Sequence, residues 1–175
     1  MPGYSSGEST KCSSLVTAAV AGLIATAVTG ASDRLLNHLV SEEQKNRDRK
    51  VRKGTAHEIA GPYFAQKVIG KELGERGKKR AGTIFSITYS FMWGLIYDGL
   101  RQKYPQVSRA AGIPFAIPFF FACDGVLAPL LGISPNLRRV PWQLSAKEMA
   151  NHVVWTATAE MVHRAVDRSK YQKLS

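Results

Sequence analysis

The chain is 175 residues long and 45% hydrophobic, with 24 Lys or Arg against 13 Asp or Glu and a formal net charge of +11. That length suits one domain, and two cysteines, Cys12 and Cys123, are too few for a disulfide framework or a cysteine-rich zinc site. A mean hydropathy of −0.14 hides a segregated sequence: residues 12–32 carry no charge over 21 positions, residues 81–97 none over 17, and residues 110–137 only Asp124 over 28. A bilayer core about 30 Å thick needs about 20 apolar residues in a helix, so all three stretches are long enough to cross it.

Residues 1–12, MPGYSSGESTKC, are rich in Gly and Ser and read as a mobile tail ahead of one helical membrane domain at residues 13–167. The first apolar stretch, SLVTAAVAGLIATAVTGA, sets Ala18, Gly22, Thr26 and Gly30 four residues apart. That spacing makes a small-residue helix face against which another backbone can come close, a packing device of membrane helices. The TGAS behind it is faintly like a signal-peptide cleavage site, but the segment is expected to stay with the chain.

Residues 33–80 form a basic block with thirteen Lys or Arg against seven Asp or Glu. Its bases are not interleaved with a stacking platform, so nucleic acid is not the expected partner; a cytoplasmic loop obeying the positive-inside rule is. Leu35, Leu36, Leu39 and Val40 carry the first helix on into this block. From Thr55, TAHEIAGPYFAQKVIGKELG predicts an amphipathic helix, with Ile59, Tyr63, Phe64, Val68, Ile69 and Leu73 opposite Lys67 and Lys71. Such a helix suits the headgroup plane or packs beneath the bundle. Lys67, Lys71, Lys78, Lys79 and Arg80 are the candidate contacts for anionic lipid headgroups or partner subunits.

The second span, AGTIFSITYSFMWGLIY, ends at Asp98 and places Trp93 and Tyr97 near one headgroup level. Ser86 and Ser90, one turn apart within it, are explained by interhelical hydrogen bonds. After the polar connection DGLRQKYPQVSR, the third stretch is interrupted by Pro114, Pro118, Gly125, Pro129 and Pro135 and is expected to be kinked or broken. The last helix is amphipathic. Glu148, His152, Thr156, Glu160, His163 and Asp167 fall within an arc of about 120°, opposite Met149, Val153, Val154, Ala157, Met161 and Val162. It spans if that polar stripe faces protein and lies on the surface if it does not, and a basic tail at residues 168–175 follows.

Asp124 at mid-span costs about 2.5–3.5 kcal/mol to insert, against about 0.3–0.6 returned by each Leu, Ile, Phe or Val. Residues 113–131 hold ten of those, so the span inserts with little margin and Asp124 must face a partner inside the bundle. The partners on offer are His152, Glu160 and His163, giving a buried polar seam. Such a seam relays protons or holds an ion, or else fixes helix register with its charges paired, for instance to Arg164.

Glu160 and His163 form one Glu-x-x-His element, but di-metal bundles use two with further carboxylates, so neither metal nor cofactor is expected. No G-x-S-x-G, phosphate-loop, G-x-G-x-x-G or H-E-x-x-H pattern is present, and no catalytic residue is assigned.

In order and spacing, AGLIATAVTGASDRLL, GLIYDGLRQKYP, AAGIPFAIPFFFACDGVLAPLLGISP and NHVVWTATAEMVHR resemble the YagU-like group of small bacterial inner-membrane proteins of unknown function. The resemblance spans roughly residues 15–166. It implies a polytopic, mostly helical protein of the bacterial inner membrane, with Asp124, Pro129 and His152 at recurring polar and proline positions of the group. The chain departs from the group where the second span begins AGTIFSITYSFMWG, without a histidine.

The expectation is thus an all-α integral membrane bundle of three to four transmembrane helices, with an amphipathic helix in the basic loop. Its expected role is that of a non-enzymatic structural or accessory component of a larger membrane assembly. The alternative is proton or ion transport through Asp124, His152, Glu160 and His163.

Overall fold

The computed structural model describes residues 6–52 and 54–172, and among them there is helix but no strand. The expected N-terminal tail falls partly outside this range, at residues 1–5, as does Lys173 of the basic tail. Helix α1, Ser6–Leu39, begins inside the stretch read as a tail, and its 34 residues run about 51 Å, longer than a bilayer core. At the other end, α7, Trp142–Gln172, carries its helix through the first residues of the basic tail.

The basic block folds into two short helices. Ser41 caps α2, Glu42–Val51, by accepting from the Gln44 amide, with Glu42 and Glu43 in the first turn and Arg49 and Lys50 in the last. Thr55 and Glu58 form a capping box at the start of α3, Ala56–Ile69, and Gly70 ends it in the left-handed conformation at φ 71°. The amphipathic helix therefore forms, but Phe64 stacks on Phe85 and Ala60 is buried, while Val68 and Ile69 stay exposed.

Helix α4, Glu75–Lys103, holds the second apolar stretch. It runs antiparallel to α1, and the two backbones touch: a Cβ on Gly22 would sit 2.3 Å from the Ser90 carbonyl oxygen, and one on Gly94 2.4 Å from that of Ala18. A similar close approach of Gly61 to Ala81 and Gly82 seats α3 on α4. Only Gly allows either crossing.

The third stretch is broken, as its prolines dictate. A 3₁₀ segment, Pro105–Gly112, contains left-handed Ala110 (φ 46°) and Ala111 (φ 56°). Then come α5, Ile113–Phe120, a π-helical turn, Phe121–Leu127, and the single turn α6, Ala128–Leu130. Helix α5 packs on α7, and α1 packs on both α4 and α7.

Among the described residues two stretches, Ser14–Leu39 and Pro105–Leu130, are long and apolar enough to cross a membrane. Helix α4 is longer than either but carries Thr83, Ser86, Thr88 and Ser90 among its apolar residues, which lowers its hydropathy.

Candidate functional site

The four residues of the expected seam sit in two clusters rather than one. His152 and Glu160 lie eight positions apart on α7, about 12 Å along its axis, and they turn to different neighbours.

The first cluster forms where the basic block folds back into the bundle. Asp124 rides on the π-helical turn, a local widening of the helix that is frequent at functional sites. Its Oδ1 lies 3.6 Å from Arg52 Nη1 and its Oδ2 3.6 Å from His152 Nε2. Arg52, extended just beyond α2 and 7% exposed, also ion-pairs with Glu148. His152 Nδ1 lies 2.8 Å from the Glu148 carbonyl oxygen, which can only accept, so Nδ1 carries the hydrogen. The imidazole is held edge-on between Phe119 and Phe120. Beside it, Lys147 reaches Asp33 at 3.2 Å and donates to Asn37, while Asn151 Nδ2 donates to Asp33 at 3.0 Å.

The second cluster lies toward the other end of α4 and α7. Glu160, 2% exposed, accepts from Tyr97 Oη (2.8 Å), Arg101 Nε (2.9 Å) and Arg164 Nε (2.7 Å). Arg101 also donates to Asp167 at 2.8 Å and Arg164 to the Ser108 carbonyl at 2.8 Å. His163 Nδ1 stands 3.6 Å from Asp98, which accepts from Ser14 and Gln102.

Between the clusters lies an aromatic block in which Phe119 contacts Phe115, Trp93 and Trp155. Glu160 is saturated by donors and His163 turns to Asp98, so their Glu-x-x-His spacing does not converge on a common point. Among the described residues no group of three His, Cys, Asp or Glu is arranged to hold a metal ion.

Of the small-residue face, Ala18 and Gly22 lie in the α4 crossing, and Thr26 accepts from Ser90 (2.7 Å) and Trp155 (3.0 Å). Gly30 stands apart, in open space at the edge of a cavity. Lys67, Lys71, Lys78, Lys79 and Arg80 are all exposed; Lys67 lies over the Tyr63 ring and Lys78 pairs with Glu75.

Sequence reasoning did not assign Arg52, Asp98 or Arg101 to the site. Arg52 is masked by the charges around it, whereas Asp98 and Arg101, at the polar end of an apolar stretch and one turn apart, were a readable signal.

Residues 73–161 match the profile of a protein family described as of unknown function, DUF1440. The match takes in α4 through most of α7, with Asp124, His152 and Glu160, and leaves out Arg52 and His163. No curated protein and no solved structure matches the chain.

Proposed function

We propose, from the premise that the chain belongs to the DUF1440 family of proteins of unknown function, that it is a multi-pass membrane protein acting as a non-enzymatic structural or accessory component of a larger assembly. The observation that carries this reading is an inverted distribution of polarity. Asp98, Glu160 and His163 are buried, while Leu15, Val16, Ile84, Phe121 and Leu130 are 53–77% exposed. Water penalises that surface, whereas lipid accepts it and requires charges to be paired inside.

The reading places four spans, in α1, α4, the broken α5 segment and α7, with the polar stripe of α7 turned inward. The resemblance to YagU-like proteins favours a bacterial inner membrane. With the basic loop cytoplasmic, both termini lie outside. Arg164, Arg168, Lys170 and Lys173 run against this orientation, which rests on the larger count of thirteen Lys and Arg in the basic loop. The exposed Lys67, Lys71, Lys78, Lys79 and Arg80 near Val68 and Ile69 suit contact with anionic headgroups.

The ion pairs that Arg52, Lys147, Arg101 and Arg164 make in the two clusters favour a structural role over chemistry. Proton or ion transport along Asp124, His152, Glu160 and His163 needs a path through the aromatic block at Phe119 and Trp155. The test is purification of the tagged full chain in mild detergent, followed by mass spectrometry of what remains bound. A stoichiometric membrane partner is expected. A lone oligomer refutes the accessory role, and proton flux lost in a normally assembled Asp124→Asn variant establishes the transport alternative.

A further inference from the structure

A cavity of about 370 Å³ opens beside the first cluster, bounded by α1, α4, the π-helical turn and α7. Its volume lies in the range of sites for small organic ligands, about 300–1,000 Å³, and is far larger than a bare metal ion needs. One part of its wall is aromatic and aliphatic, with Phe85, Tyr89, Phe119, Leu131 and Trp155. The other part carries Asp33, Asp124, Glu148, Asn151, His152 and Thr29.

The polar wall is built to accept hydrogen bonds. Arg52 and Lys147 are not part of it; they stand behind, paired to Asp124, Glu148 and Asp33. Two permanent cations, Arg52 and Lys147, thus serve three carboxylates. Asn151 is 7% exposed, and while its Nδ2 donates to Asp33, its buried Oδ1 has no partner. Thr29 Oγ1 is likewise buried and unpartnered. His152, with its hydrogen on Nδ1, turns Nε2 toward Asp124 across 3.6 Å. The unpartnered Asn151 oxygen needs a donor, and the Thr29 hydroxyl can accept one as well.

We propose that this cavity binds a small organic cation, a primary or secondary ammonium carried on an apolar body. The N–H groups meet Asp124, Asn151 Oδ1 and Thr29 Oγ1, and the body rests against Phe119, Tyr89 and Trp155, whose ring faces also attract a cation. The ammonium supplies both a positive charge and N–H donors, which a neutral or anionic guest of the same size does not. Free amines and the headgroup of phosphatidylethanolamine share this chemistry. The inference goes beyond the accessory role and does not depend on it.

The test uses the full chain, delipidated in detergent, with phenethylamine and tryptamine as probes and 2-phenylethanol as the neutral match. Isothermal titration calorimetry is expected to give saturable amine binding at least tenfold tighter than that of the alcohol. Asn151→Leu and Asp124→Asn are each expected to abolish that preference at unchanged helical content by circular dichroism. The wild-type comparison alone decides the matter if either variant misfolds: equal affinity for amine and alcohol, or no saturable amine binding, overturns the proposal. Native mass spectrometry before delipidation separates the sources. Phosphatidylethanolamine that phenethylamine displaces identifies the lipid headgroup, and lipid-free protein that takes up the amine identifies a free amine.

Discussion

Removing Arg52 probes the interior most severely. Its side chain is 7% exposed and serves Asp124 and Glu148, themselves 12% and 18% exposed. Arg52→Met keeps an apolar stem in place but strands both carboxylates without their cation. Breaking a buried pair from one side costs about 3–5 kcal/mol. At about 2–4 °C per kcal/mol for a chain of this size, Tm is expected to fall by roughly 6–20 °C. The assay is thermal unfolding followed by circular dichroism at fixed protein and detergent concentration. Adding Asp124→Asn and Glu148→Gln to Arg52→Met removes the stranded charges and is expected to recover most of the loss, because no uncompensated ion remains. A Tm within about 2 °C of wild type for Arg52→Met alone refutes the reasoning and returns Arg52 to a solvated loop.

The helix crossings give a paired test. Gly94→Ala drives a Cβ to 2.4 Å from the Ala18 carbonyl and is expected to cost about 1–3 kcal/mol, whereas Gly30→Ala, with nothing within 4 Å, is expected to stabilise by about 0.5–1 kcal/mol through helix propensity; thermal unfolding of both reads the contrast. Gly112→Ala combines a φ of 82° with a Cβ only 2.4 Å from Thr156 Cγ2, so a clear fall in Tm is expected and an unchanged value contradicts the turn. Glu160→Gln leaves Arg101, still paired to Asp167, and half-exposed Arg164 facing a neutral amide and is expected to cost about 1–3 kcal/mol, measured in the same assay. Replacing Lys67, Lys71, Lys79 and Arg80 by Gln is expected to weaken retention of anionic lipid in native mass spectra, each charge near an anionic surface being worth about 1 kcal/mol.

Local patterns carried much of this structure. The four-residue spacing of Ala18, Gly22 and Thr26 marks a face that lies against α4 and α7, and the prolines at 114, 118 and 129 mark a broken segment. Asp124 and His152 share a contact, as the cost of an unpaired carboxylate within an apolar segment demands. The rest depended on how elements far apart in the chain meet. Arg52 lies among Arg47, Arg49, Lys50 and Lys53, and nothing local distinguishes the one that turns inward. The polar stripe on α7 is continuous along its own helix, but α5 faces its first half and α4 its second, so one stripe serves two clusters. The π-helical turn that carries Asp124 has no short-range signature beyond the Gly and Pro residues around it.

The account rests on a chain that crosses the bilayer four times with its polar groups inside. Cysteines introduced singly at Lys45, Tyr104, Arg138 and Ser169, in a background without Cys12 and Cys123, test this through labelling by an impermeant maleimide in sealed membrane vesicles. The account predicts that positions 45 and 138 react from one side and positions 104 and 169 from the other. Labelling of 45 and 104 from the same side, or of 138 and 169 from the same side, contradicts it.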